Sequence, residues 1–125
     1  LDTWNVNSDE TTDVHTFMEN FEISLNEFIF RIQEMMNQEY KVRYPALIPP
    51  TIKVEPGSRY IRVVTYREHD GRVVEHSAYC FVEKATGDIF KAASYKAPAK
   101  HARGNITDPH GGMSWLTCYG VRSMR

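Results

Sequence analysis

Tyr60-Ile61-Arg62-Val63-Val64-Thr65-Tyr66-Arg67, the pair Asp70-Gly71, and the run from Val73 to Glu83 decide the fold of this chain. The first run is β-branched and aromatic, which suits a pleated, half-buried strand. Asp70-Gly71 is a hairpin signal, because the tight turn that joins twisted strands needs residues tolerant of positive φ. The run Val73–Glu83 then pairs back on the first. Simple alternation puts Ala78, Cys80 and Val82 on one face and Tyr79 and Phe81 on the other.

On either side the same grammar repeats. Thr51–Glu55 is a short strand ending at the turn pair Pro56-Gly57, and Ala85-Thr86-Gly87-Asp88 is a turn leading into a strand over Asp88–Ser94. Consecutive hairpins make an antiparallel meander, which can leave one face in water while something apolar covers the other. That cover lies upstream. Leu25, Phe28, Ile29, Ile32, Met35, Met36 and Tyr40 recur at three- and four-residue steps, a single helical stripe. Ser24 and Glu27 read as a capping box, with Ile23 and Phe28 as a hydrophobic staple, so the helix is expected to begin there and to stop before Pro45. Phe30 lies off the stripe and marks a second contact. Pro45–Pro50 is an extended crossover. At the C-terminal end, Gly111-Gly112 is a flexible pair, and Trp115 and Tyr119 are expected to close the edge of the core. The expectation is an α+β fold: one long amphipathic helix on an antiparallel sheet of about four strands, in two layers.

Length and composition agree with one such domain. A chain of 125 residues, 42% hydrophobic and 25% charged, can bury a modest core unaided. Residues 1–17 are polar and acidic and precede Met18; they are expected to be a poorly ordered N-terminal extension, with residues 18–125 forming the domain. No apolar run reaches the length of a membrane span. Cys80 and Cys118 are too few and too far apart for a disulfide framework or a zinc pattern.

The net charge of −1 conceals a split. Residues 1–39 carry nine acids and one base, residues 40–125 fourteen Lys or Arg and seven acids. Such asymmetry suits either an anionic partner or two faces that attract each other. The basic character concentrates between Asp88 and Asp108, a stretch without a single acid. Lys91, Lys96, Lys100 and Arg103 lie along it, Pro98 argues against a helix, and Ala97, Ala99, Ala102 and Gly104 keep the backbone accessible. It reads as a shaped basic loop over residues 91–105. Its cations can neutralise phosphates, Tyr95 can stack on an unpaired base, and His101 adds charge below neutral pH. Gly104 and Asn105 offer amides to an anion or to a turn. The candidate set for nucleic acid or another polyanion is therefore Lys91, Tyr95, Lys96, Lys100, His101, Arg103, Gly104 and Asn105.

Catalysis finds little support. The five histidines lack metal-ligand spacing, Ser94 and Ser114 lack an elbow context, and Glu75 and His76 fall on opposite faces of a strand. Convergence of His101, Asp108, His110 and Cys118 would be needed for a nucleophile, and no spacing demands it. No catalytic residue, cofactor or metal is assigned.

The segment Thr86–Ile106 (TGDIFKAASYKAPAKHARGNI) resembles a family of small uncharacterised proteins encoded by bacteriophages and found in viral metagenomes. Looser similarity runs from Ser24 to the C-terminus, including Tyr60–Val64 and Tyr119-Gly120, and leaves residues 1–17 out. Tyr95 stands where that family commonly has tryptophan. The resemblance implies a phage setting, with the host cytoplasm as location, and no mechanism. The expected role is a non-enzymatic accessory protein that binds nucleic acid through residues 91–105. The alternative is a self-assembling structural or virion protein, a homo-oligomer, or an inhibitor of a host protein, using the same residues as a protein interface.

Overall fold

The computed structural model describes the backbone of residues 2–122 and the side chains of residues 18–122. The side chains of residues 1–17, where an extension is expected, lie outside the described residues. The elements are α1 (Asp2–Arg43), β1 (Thr51–Pro56), β2 (Tyr60–His69), β3 (Arg72–Glu83), β4 (Asp88–Ala92), β5 (Pro98–Asn105), a 3₁₀ turn (Met113–Trp115), β6 (Leu116–Thr117) and β7 (Gly120–Val121). Five strands form one antiparallel meander in sequence order, and β6 and β7 form a separate small hairpin. The class is α+β, with one more strand in the main sheet than expected.

The helix stripe packs as its spacing requires. Phe28, Ile32 and Met36 are fully buried against Ile52, Ile61, Val63, Cys80, Val82 and Ile89 of the sheet, with Phe21, Leu25, Ile29 and Met35 at the margin. The start of the helix differs. Because α1 is already under way at Met18, Ser24 and Glu27 are interior residues and no capping box or staple forms there. Their amides already sit inside the helical ladder and need no side-chain partner. Phe30 is 64% exposed and is not part of the core cluster. After Arg43 the chain leaves the helix ahead of Pro45, as expected. Gln33 then ties the crossover to the helix: its Nε2 donates to the Pro50 carbonyl at 2.9 Å and its Oε1 accepts from the Ile52 amide at 2.9 Å.

The β2–β3 turn has positive φ at Asp70 and Gly71, the hairpin geometry that the pair predicts. One residue departs from simple alternation. Val63 pairs with Cys80 and Val64 with Ala78, so Tyr79 is the extra residue of a β-bulge. The bulge turns Tyr79 into the core beside Cys80, where its hydroxyl donates to the Thr117 carbonyl at 2.5 Å. Tyr79 and Phe81 therefore do not share a face.

Residues 91–105 are not one loop. Pro98–Asn105 is the fifth strand, paired with β4 through Ala92↔Pro98, Phe90↔Ala102, Ile89↔Gly104 and Asp88↔Asn105. Pro98 is compatible with this because it is the first residue of an edge strand, where no ladder amide is needed. The connecting loop is only residues 93–97.

The C-terminal segment closes the core on the helix side of the sheet, with other residues than its aromatics. Leu116 and Val121 pair across the β6–β7 hairpin and are buried, while Trp115 is 38% and Tyr119 70% exposed. A two-residue turn leaves Tyr119 at the tip, so the inward pair is the aliphatic one. Gly112 is buried rather than flexible: its amide donates to Asp108 Oδ1 at 2.9 Å.

Candidate nucleic-acid interface

Strand pairing separates the sheet into two faces. The rows Pro56–Ile61–Val82–Ile89–Gly104 and Val54–Val63–Cys80–Lys91 belong to the helix side. Between them, on the outer side, runs Glu55–Arg62–Phe81–Phe90–Ala102, one residue from each strand. Tyr60 packs edge-on against Phe81 and Phe90, with ring centres 6.2 and 5.7 Å away. The outer face thus carries its own aromatic floor.

Over that floor folds the loop 93–97. Its Tyr95 reaches back across the sheet to β1 and β2. The Tyr95 hydroxyl donates to Glu55 Oε1 at 2.5 Å, and its carbonyl accepts from Arg62 Nε at 2.7 Å. Arg62 lies between two rings, 4.3 Å from the centre of Tyr95 and 5.7 Å from that of Phe81. A second donor, Arg62 Nη1, reaches Glu55 Oε1 at 2.9 Å. His76 Nε2 sits 3.1 Å from Glu55 Oε2 and 3.1 Å from the Tyr95 hydroxyl. This covering explains why Phe81, on the side away from the helix, is only 3% exposed. The Tyr95 hydrogen bond, then Arg62 and His76, hold the Glu55 carboxyl below its ordinary range, against the opposing effect of partial burial. The same bond to Glu55 raises the Tyr95 phenol.

Cations line this face beside rings. Lys53 Nζ stands 3.7 Å from the Tyr66 ring centre and the Arg59 guanidinium 5.1 Å from that of Tyr60. Between the β1–β2 turn and the loop lies a cleft of about 200 Å³, lined by Ser58, Arg59, Tyr60, Arg62, Phe81 and Lys96 with Glu55 at its side. Arg59 Nε donates to Glu83 Oε2 at 2.9 Å, which raises the guanidinium further and leaves its two Nη groups for other partners. Lys96 makes no ion pair among the described residues.

The eight residues singled out in the sequence are divided among three places. Tyr95 and Lys96 belong to the outer face just described. Lys91 and Arg103 turn to the other side, where Lys91 Nζ donates to the Val121 carbonyl at 3.0 Å and Arg103 Nη1 to the Arg122 carbonyl at 2.6 Å. They secure the C-terminal segment. Lys100 and His101 are exposed on edge strand β5. Asn105 closes a turn, donating to the Thr86 carbonyl at 2.8 Å and to Asp88 Oδ1 at 3.0 Å and accepting from the Thr107 amide at 2.8 Å. Gly104 pairs with Ile89 beside it.

Arg59, Tyr60, Arg62, Glu55 and His76 were not singled out as a site. The period-two spacing of Tyr60, Arg62, Val64 and Tyr66 was legible; the return of Tyr95 to Glu55 was not. No ion pair among the described residues links 91–105 to a helix carboxylate. Glu75 and His76 do lie on opposite faces: Glu75 meets Arg67 at 3.5 Å, and Arg67 reaches the helix through Tyr40, while His76 meets Glu55. Asp108 is engaged by the His110 and Gly112 amides, both at 2.9 Å.

No helix among the described residues is long and apolar enough to cross a membrane. No curated protein and no solved structure matches the chain. A family match extends over residues 3–118, taking in most of the stretch before Met18 as well as the helix and the five-stranded sheet. By that match the chain belongs to DUF7717, a family of unknown function.

Proposed function

We propose that the protein binds nucleic acid through the outer face of its sheet, as a non-enzymatic accessory protein of a phage-infected cell. The phage setting rests on the resemblance carried by Thr86–Ile106. One observation carries the binding role: on the face opposite the acidic helix, Lys53, Arg59 and Arg62 each stand over an aromatic ring, with Lys96 beside them. Cations neutralise phosphates and rings stack on unpaired bases, so the combination suits single strands. Tyr95 is 37% exposed and carries both functions in one residue with its Arg62 partner. Lys100 and His101 extend the basic surface along the adjoining edge, while Lys91 and Arg103 are structural.

The test is fluorescence anisotropy with single- and double-stranded oligonucleotides at low and moderate salt. Binding that weakens linearly on a log–log salt plot, and that Arg59→Ala with Lys96→Ala weakens without changing the circular-dichroism spectrum, supports the role. Absence of binding at low salt overturns it. The alternative is a self-assembling or host-binding protein that uses residues 91–105 as a protein interface; the exposed Phe30 and Val42 of the helix add apolar surface for such a role. A defined oligomer by light scattering, disrupted by Phe30→Asp and without affinity for nucleic acid, would favour it.

A further inference from the structure

We infer that the cleft between the β1–β2 turn and Lys96 is a pocket for one terminal phosphate of a single strand, an inference that rests on the outer-face reading. The cations of this face are not evenly spread as a track would need. Arg59, Arg62 and Lys96 converge on one cleft of about 200 Å³. A phosphate within a strand carries one negative charge, whereas a terminal phosphate monoester carries nearly two near neutral pH. Convergence of several cations matches the more highly charged group.

The donors are the right kind. Among the described residues Arg59 spends only Nε, on Glu83, which leaves its two Nη groups to form a fork. Such a fork meets a phosphate through two parallel bonds. Arg62 spends Nε and Nη1 on Tyr95 and Glu55, leaving Nη2. The Ser58 hydroxyl and the Lys96 ammonium have no hydrogen-bond partner among the described residues, and both line the cleft. Glu55, the one carboxylate in the lining, is engaged by Tyr95, Arg62 and His76. Its charge is therefore offset where the phosphate would sit. Tyr60 and Phe81 form the apolar part of the lining, which suits the sugar and base next to a chain end.

Three labelled oligonucleotides of one sequence test this: one with a 5′-phosphate, one with a 3′-phosphate, and one with hydroxyls at both ends. One phosphorylated form should bind at least about tenfold more tightly than the unphosphorylated strand, the effect of roughly one charge-assisted hydrogen-bond pair. Lys96→Ala and Arg59→Ala should erase that difference, whereas Lys100→Ala, on the edge strand, should weaken all three probes alike. Equal binding of all three probes overturns the terminal-phosphate pocket while leaving the outer-face role standing. Binding of none overturns both.

Discussion

Arg62 holds Tyr95 at two points: its Nε donates to the Tyr95 carbonyl at 2.7 Å, and its guanidinium lies 4.3 Å from the centre of the Tyr95 ring. The loop 93–97 is thereby fastened to a strand three places earlier in the meander. Arg62→Ala should remove two charge-assisted hydrogen bonds and two ring contacts. At a partly exposed site the expected cost is about 1–3 kcal/mol by urea unfolding. Amides of residues 93–97 should lose exchange protection before those of β2 and β3. Arg62→Lys should rescue little, because an ammonium cannot span both partners in one plane. Unchanged protection in the loop would refute the fastening.

Glu55 gives the protein an acid-sensitive contact. Its carboxyl titrates below the ordinary range in the folded protein, chiefly through Tyr95 and then Arg62, with His76 adding to the effect. The unfolded chain therefore takes up the proton first as pH falls. The stability from this group is present above the ordinary carboxylate range and is lost as pH drops through the lowered folded value. Urea midpoints measured between about pH 7 and about pH 3 should fall less steeply for Glu55→Gln than for the parent protein. Equal slopes would show that the carboxylate contributes nothing.

The two thiols should behave as different species. Cys80 is completely buried and its thiol is pushed upward by burial, whereas Cys118 is half-buried at the β6–β7 turn. A disulfide reagent should titrate one thiol in the native protein and two in denaturant, since only the thiolate reacts. Cys118→Ser should leave the native protein without a fast-reacting thiol.

Helix α1 should tolerate changes on one side and not the other. Ile32→Ala empties a fully buried site and should cost about 2–5 kcal/mol, while Phe30→Ala should change stability by no more than about 0.5 kcal/mol. Comparable losses at the two positions would mean that Phe30 has a partner in solution.

Gly112 should resist replacement. Its φ is +81°, and an added Cβ would run into the Ile89 side chain and lie 3.2 Å from the Asn105 carbonyl oxygen. Gly112→Ala should lower stability by more than about 1 kcal/mol, read as a lower thermal midpoint, and Gly71→Ala, which meets nothing within 4 Å, by less.

Local chemistry made much of the architecture legible in the residues alone. Phe28, Ile32 and Met36 announce the buried stripe by their spacing, Asp70-Gly71 announces a turn by its tolerance of positive φ, and Pro45 sets a limit to the helix because the preceding residue avoids helical backbone. Each signal involves neighbours a few positions apart. What failed did so where distant parts of the chain decide the outcome. Pro98 and its small neighbours have weak strand preference, yet they form β5 because β4 offers an open edge. Tyr79 joins the core because a bulge, required by pairing across β2 and β3, shifts the alternation by one. Lys91 and Arg103 look like phosphate contacts in sequence but are used by the carbonyls of Val121 and Arg122. The assembly of Glu55, Arg62, His76 and Tyr95 was least legible of all, because it joins four segments whose proximity exists only after the meander has closed. Periodicity and turn chemistry thus determined the buried stripe of the helix, its end before Pro45 and the hairpins from β1 to β4, which depend on local backbone preference. Tertiary structure alone decided which side chains share the outer face, because strand register and the fold-back of one five-residue loop are long-range properties.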